Sequence, residues 1–290
     1  MVSGRTRLLG LIGHPIGHPI GHSLSPPMHN AAFAPDVMEA DAAEYVYVAM
    51  EVQPDRLSAA VRGLVALGFV GFNVTMPHKE AILPLMDEVD TPARLAGAVN
   101  TVSVADEGRL RGLNTDGSGF VEACKEVAVS LEGRRVLVLG AGGTAAAIAV
   151  AALGAGATQL YIANRTAGRA EQLRLKLSEA VPETEVLTCP LDRAGDAAAE
   201  VDIVINATYL GMKQEDPLPL PVETLAEEKV VCDAVYLAGG ETTLIRHAKE
   251  AGARTVSGDR MLLYQGVQAQ RVWTGREPNI EAMSDALRFD

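Results

Sequence analysis

Four short polar clusters in this sequence combine groups that bind anions or move protons: HSLSP (22–26), NVTMPHK (73–79), AVNT (98–101) and NTDG (114–117). They sit at the ends of apolar runs that read as strands, and strand ends are where α/β proteins place ligands. Taken singly, each has a plain structural reading. Ser25 before Pro26 reads as a helix N-cap with proline in the first turn. Lys79 reads as a solvated helix residue, Asp116 as another N-cap and Asn100 as a turn residue. A fifth stretch, GHPIGHPIGHSLSP (13–26), repeats Gly-His-Pro-Ile and spaces His14, His18 and His22 four apart, as metal ligands on one helix face would be. Pro15, Pro19, Gly17 and Gly21 oppose a helix there, proline by about 3 kcal/mol and glycine by about 1. No carboxylate or cysteine nearby completes a site, so no metal is expected. The copy next to Ser23 is expected to hold the working geometry and the spare unit to loop out, because lengthening a loop costs little.

A different chemistry is written at RRVLVLGAGGTAAAIAVAALGAG (134–156), which reads as strand, glycine-rich turn and helix. Gly140 permits the tight turn, Gly142 lets the backbone approach a pyrophosphate, and Ala145 is small enough for close helix packing. The helix N-terminus then offers N–H groups to phosphate. The next strand, QLYIAN (159–164), ends in Asn164-Arg165-Thr166, with Arg169 one turn later and no carboxylate before Glu171. A site for NAD usually has an acidic residue there to accept from the ribose hydroxyls. Two guanidiniums suit a 2′-phosphate instead, so the expected cofactor is NADP. The plain alternative is that both arginines are ordinary surface residues.

The elements that must hold these clusters alternate between strand and helix patterns, which predicts an α/β fold. LLGLIG (8–13), YVYVAM (45–50) and VGFNVT (70–75) read as strands. A helix opens at Pro54 and runs to about Leu67, with Leu57, Val61, Leu64 and Val65 on one face. Another begins near Lys79. TVSVAD (101–106) and RLRGLN (109–114) read as a hairpin turning at Glu107-Gly108, and a helix from about Gly117 to Leu131 carries Phe120, Val121, Cys124 and Val127. The strand pattern restarts at Val136. With 290 residues, 48% of them apolar, there is material for two domains with separate cores. The expected division is 1–115, completed by 258–290, and 116–257. A net charge of −12 argues against nucleic acid as the main partner. Cys124, Cys189 and Cys232 have no metal-ligand spacing and suit a reducing cytoplasm. The charge-free run 136–163 is interrupted by clustered glycines and reads as strand, turn, helix and strand rather than as a membrane span.

Taken together, HSLSPPMHNAAF (22–33), GFNVTMPHKE (71–80), GAVNTV (97–102), GLNTDGSGF (112–120), GAGGTAAA (140–147), NRTAGRA (164–170), NATYLGM (206–212) and GDRMLLYQG (258–266) resemble the shikimate dehydrogenase family in order and spacing from about residue 8 to 275. The resemblance implies an N-terminal α/β substrate domain and a Rossmann-type nucleotide-binding domain. It implies a cytoplasmic oxidoreductase of chorismate and aromatic amino acid biosynthesis, a monomer or homodimer, reversibly reducing 3-dehydroshikimate to shikimate with NADPH. Ser23 and Ser25 match the family's carboxylate-binding serines. Thr75, Asn100 and Gln265 match ring-hydroxyl ligands, and Tyr236 a tyrosine near the substrate. Lys79 and Asp116 match the catalytic pair, with Asn73 steadying the cluster. Gly140, Ala141, Gly142, Gly143, Thr144, Asn164, Arg165, Thr166, Arg169, Thr208 and Gly258 match the cofactor site. Three features depart from the family pattern: Tyr209 stands where serine is usual, Leu237-Ala238 where a proline is common, and the Gly-His-Pro-Ile unit is doubled. A paralogue acting on quinate or aminoshikimate, and a catalytically inactive NADP-binding sensor, remain the competing readings.

Overall fold

The structure is a computed structural model, and it describes residues 4–14, 20–33, 45–213 and 215–288. The chain separates into two compact units, one of residues 1–115 with 265–290 and one of residues 116–264. Among the described residues, no helix is long and apolar enough to cross a membrane.

The first unit contains β1 (Arg7–Gly13), α1 (Ser25–Ala32), β2 (Tyr45–Glu51), α2 (Leu57–Ala66), β3 (Phe69–Val74), α3 (His78–Ala81), β4 (Glu88–Val89), α4 (Thr91–Ala96), β5 (Thr101–Val104) and β6 (Leu110–Leu113). Its sheet runs β2-β1-β3-β5-β6-β4. β1, β2 and β3 are parallel, whereas β5 and β6 form the antiparallel hairpin, with Glu107 and Gly108 at positive φ in its turn. Such a turn matches the right-handed twist of the flanking strands. The apolar face of α2 (Leu57, Val61, Leu64) packs with Phe72, Ile12 and Ile82 in one core. β4 carries no periodic signal in the sequence, being two residues long.

The second unit contains α5 (Asp116–Glu126), β7 (Arg135–Leu139), α6 (Gly143–Gly154), β8 (Gln159–Asn164), α7 (Ala167–Ala180), β9 (Glu185–Pro190), α8 (Ala194–Glu200), β10 (Ile203–Asn206), β11 (Val230–Asp233), α9 (Thr243–Glu250) and β12 (Arg254–Val256). All six strands are parallel in the order β12-β11-β10-β7-β8-β9. That is the doubly wound dinucleotide-binding order, with its switch point between β7 and β10. Buried Leu137, Leu139, Val204, Ala194 and Ala198 fill one face. The next helix, α10 (Gly258–Thr274), begins in this unit and enters the first at Gln265, so its first seven residues group with the nucleotide-type sheet. α11 (Ile280–Asp285) closes the first unit by packing on α1.

Three local expectations are corrected, the first being that Asp116 is the first residue of α5 rather than its N-cap. Ser25 is not an N-cap: it is the first residue of α1, and Ser23 instead accepts from Ser25 N through Oγ, at 3.2 Å. Two prolines directly behind Ser25 let the helix begin there, since their missing N–H groups need no partner. The helix after residue 116 ends at Glu126 rather than Leu131. Ala128 takes a left-handed conformation, Val129 N donates back to Cys124 O at 2.9 Å, and Val127 is left exposed. A left-handed residue is a common way for a helix to stop. Residues 15–19, the second half of the spare Gly-His-Pro-Ile unit (13–16) and most of the copy next to Ser23 (17–20), lie outside the described residues, and with them the expectation about the spare unit.

Candidate active site

In the first unit the site residues cluster beyond β3 and at the β5–β6 end of the sheet. Asn73, at the end of β3, accepts from Tyr47 Oη at 2.7 Å through Oδ1. Its Nδ2 donates to Asn100 O at 3.1 Å and Thr101 Oγ1 at 3.0 Å. Asn100 Oδ1 accepts from Thr115 N (2.8 Å) and Thr101 Oγ1 (2.9 Å), and its Nδ2 donates to Thr115 Oγ1 at 3.0 Å. Asn114 ties the same segment to Ala98 O at 2.8 Å. All of these residues are buried, where an unpaired amide would be costly, so the chain of bonds fixes the rotamers rather than adding much net stability. Thr101, Asn114 and Thr115 fall within the AVNT and NTDG clusters without being singled out as members, and Tyr47 has no sequence signal at all, because its partner Asn73 lies 26 positions away.

Lys79 rides on the single turn of α3. Its neighbour His78 is buried and anchors that turn, with Nε2 2.7 Å from Val52 O. Burial holds the His78 imidazole below its ordinary pKa, against the raising effect of the Val52 bond. Lys79 O accepts from Val99 N at 2.8 Å, which links the lysine's backbone to the segment carrying Asn100. Thr75, partly exposed, is held by its N–H on Ile12 O at 2.9 Å. Ser25 is buried and Ser23 half-buried at the start of α1. That helix is fastened by Asn30, whose side chain pairs with both Tyr47 N and Tyr47 O. Gln265 is buried on α10. The first unit therefore contains Ser23, Ser25, Thr75, Lys79, Asn100 and Gln265.

Asp116 and Tyr236 belong to the second unit. Asp116 is buried at the start of α5, and Thr144 Oγ1 donates to its Oδ2 at 3.2 Å. Gly117 beside it lets α5 lie close on α6: a Cβ there would come within 2.8 Å of Ala151 Cβ. Tyr236 is half-buried, and the following Leu237 makes an isolated bridge to Gly240.

The glycine turn after β7 has the shape that phosphate binding needs. Gly140 has φ +114°, and a Cβ on it would sit 2.8 Å from Ala207 O, so both backbone and space exclude a side chain there. Ala141 follows it in the turn. Gly142 caps α6 and a Cβ on it would meet nothing, leaving its surroundings open, while Gly143 and Thr144 begin the helix. Ala145 behind them is fully buried. At the end of β8, Asn164 Nδ2 donates to Thr166 O at 2.9 Å and shapes the turn into α7. Arg165 and Arg169 are exposed there with no acidic residue between them. Arg165 also borders a groove of about 770 Å³ lined with Pro190, Leu191, Leu210, Leu218 and Leu220. Thr208 lies on the turn after β10, beside Tyr209, whose side chain is exposed. Gly258 is pressed against the β11 end, where a Cβ would lie 2.7 Å from the Val235 carbonyl carbon. These features fit a dinucleotide, and the guanidiniums fit a phosphate where a 2′-hydroxyl's carboxylate partner would otherwise stand.

Known proteins share this fold. The family model for the shikimate dehydrogenase substrate binding domain matches residues 16–102, that for shikimate / quinate 5-dehydrogenase matches 122–212, and that for the shikimate 5′-dehydrogenase C-terminal domain matches 260–288. A shikimate dehydrogenase (NADP(+)) of Rubrobacter xylanophilus is 54% identical over 286 residues, covering 99% of this chain and 97% of the relative. A crystal structure of a shikimate dehydrogenase in complex with NADP+ superimposes with a TM-score of 0.86 at 40% identity, over 99% of this chain and 96% of that one. The Thermus thermophilus shikimate 5-dehydrogenase in complex with NADP(H) and shikimate gives 0.81 at 36% identity, over 97% and 98%. With family models matching in both units and this identity across nearly its whole length, the chain belongs to the shikimate dehydrogenase family.

Proposed function

We propose that this protein catalyses the reversible, NADPH-dependent reduction of 3-dehydroshikimate to shikimate. The observation that carries the reading is the pair Arg165 and Arg169 at the end of β8, in a chain that matches NADP-dependent shikimate dehydrogenases from end to end. We assign the substrate to residues 1–115 with 258–290, and the cofactor to residues 116–257. NADPH, when bound, supplies the hydride. Gly140, Ala141, Gly142, Gly143 and Thr144 receive its pyrophosphate at the α6 N-terminus. Asn164, Arg165, Thr166 and Arg169 take the 2′-phosphate end, and Thr208 and Gly258 complete the cofactor contacts. Ser23 and Ser25 hold the substrate carboxylate with hydroxyl donors, Thr75, Asn100 and Gln265 hold the ring hydroxyls, and Tyr236 lies near the substrate. As the carbonyl oxygen gains negative charge, the Lys79 ammonium stabilises it and delivers the proton. We assign Asp116 the acceptor's role toward the resulting hydroxyl. The three thiols, free as described, suit a reducing cytoplasm, and a monomer or homodimer is the expected assembly.

Steady-state kinetics with shikimate and NADP, repeated with quinate and with NAD, test this reading. The expected kcat/KM for shikimate with NADP exceeds every other combination by at least about a hundredfold. Preference for quinate or NAD would make the protein a paralogue of different specificity, and NADP binding without turnover would make it a sensor.

A further inference from the structure

The C-terminal ends of β10 and β11 carry a polar chain whose buried members, Asn206, Asp233 and Thr242, have no part in the proposed chemistry. Thr242, the N-cap of α9, donates from Oγ1 to Asp233 Oδ2 at 2.6 Å. Asp233 Oδ1 accepts from Val235 N at 3.0 Å and from Asn206 Nδ2 at 2.8 Å. The same Asn206 nitrogen donates to Leu210 O at 3.0 Å, while Asn206 Oδ1 accepts from Thr208 N at 3.1 Å and Thr208 Oγ1 at 2.7 Å. Thr208 Oγ1 in turn accepts from Leu210 N at 3.1 Å. Asn206, Asp233 and Thr242 are all buried. The Asn206 amide therefore sets the shape of the 207–211 turn, and Asp233 sets the Asn206 amide. A carboxylate at that position accepts only. If the amide flipped, its oxygen would face both the carboxylate and Leu210 O, and Thr208 would lose its acceptor.

We propose that Asp233 is a positioning residue for the cofactor: acting through Asn206, it holds the Thr208 turn in the shape that receives NADP. The inference rests on the reading that Thr208 belongs to the NADP site. An acid is a poor choice for packing alone here, since burial opposes its charge and three donors are needed to offset that cost. Those donors lead, by two bonds, to the backbone of the turn.

The test compares Asp233→Ala with Asp233→Asn in the full chain. The asparagine can keep Oδ1 on Asn206 and Val235 and donate from Nδ2 to Thr242, so it is the conservative rescue. Asp233→Ala is expected to raise the NADP Kd, by calorimetric titration, and the NADP KM by about tenfold or more. Shikimate KM at saturating NADP should stay within about threefold of wild type, and Asp233→Asn should recover most of the cofactor loss. A folded Asp233→Ala protein whose NADP Kd stays within about twofold of wild type overturns the proposal. So does an equal rise in both KM values, or an asparagine variant as impaired as the alanine one. If Asp233→Ala does not fold, Asn206→Ala must give the same cofactor-selective loss, and NADP affinity like that of wild type there also overturns it. Wild type that fails to bind NADP at all would sink the cofactor reading itself, which a normal wild type with an unaffected variant would not.

Discussion

Lys79 is presented by a single helical turn whose hold on the unit is the buried His78–Val52 bond and the Val99–Lys79 backbone bond. Replacing its side chain should therefore leave the turn in place while removing the ammonium. Lys79→Ala is expected to lower kcat by orders of magnitude with shikimate KM within a few-fold, because charge on the carbonyl oxygen develops only in the transition state. Retention of more than about a tenth of wild-type kcat would dismiss the assignment. Arg165 and Arg169 are exposed on the second unit, away from its core, so their joint replacement by alanine should spare the fold. NADP preference should erode by a few kcal/mol, the scale of charge-assisted phosphate pairs, with NAD kinetics nearly unchanged. Equal losses with both cofactors would instead give the arginines a structural role. Asp233 offers a third measurement. Burial pushes its carboxyl up to about 6 from an ordinary 3.8, against the bonds from Thr242, Val235 and Asn206. The folded protein thus holds that proton more tightly than the unfolded chain. Its contribution to stability is fully present below about pH 3.8 and is lost as pH rises through about 6, a change of about 3 kcal/mol. Asp233→Asn does not titrate, so wild type should lose melting temperature relative to that variant between about pH 4 and pH 7. A gap that is constant over this range would show that the proton is bound elsewhere.

At the scale of elements, the glycine turn after β7 shows how a local conformation serves a larger one. Gly140 has φ +114°, its N–H donates to Ala163 O at 2.7 Å, and its α-carbon faces Ala207 O. The turn is thereby locked to the ends of both neighbouring strands, β8 and β10. Gly140→Ala would put a side chain on a left-handed backbone and against a carbonyl. A loss of about 1–3 kcal/mol in unfolding free energy is expected, together with weaker NADP binding. Thermal melts with and without NADP check both parts, and an alanine variant melting within about a degree of wild type would show the turn to be adaptable. The small residues of α6 have a related use. Its near-continuous alanine leaves room for Gly117 of α5 at Ala147 and Ala151, so α5 is held at short range with Asp116 at its first residue. Just beyond the early end of α5, the left-handed Ala128 accepts through its carbonyl from Arg254 at 3.0 Å, 126 positions away. No helix propensity within 117–131 encodes that partner, and so the periodic reading runs past the true end.

At the scale of the whole molecule, the doubled Gly-His-Pro-Ile unit joins two fixed points. Gly13 O accepts from Val52 N at 2.7 Å and His14 N donates to Met76 O at 2.9 Å, while Ile20 O accepts from Ser23 N at 3.1 Å. Deleting residues 14–17 leaves a single Gly-His-Pro-Ile between Gly13 and Ile20, with His18 following Gly13 in the place of His14. The deletion is expected to leave the fold intact and shikimate KM within a few-fold of wild type, since loop length changes closure cost by only about 0.6 kcal/mol per doubling. A fall in kcat/KM beyond about tenfold, or a stoichiometric metal lost with the deletion, would make the repeat a working part.

The α/β class, the hairpin at Glu107-Gly108, the glycine turn at 140–143 and the arginines at the end of β8 are all legible in the sequence. Each is set by residues within a few positions of one another: alternation along a strand, a turn that needs positive φ, a helix start. The ordered motifs add the family, because their spacing reflects one shared fold. Other features are invisible until the chain is folded. Trp273 Nε1 donates to Val102 O at 2.9 Å across 171 positions, and Gln270 reaches His29 Nδ1 at 3.0 Å across 241. Asn73 gains Tyr47 and Thr101, and Asp233 gains Asn206 and Thr242, only when strands distant in sequence lie side by side. A buried polar atom must find a partner wherever the packing brings one. Periodicity records which face of an element is buried and says nothing about which polar group waits on the other side.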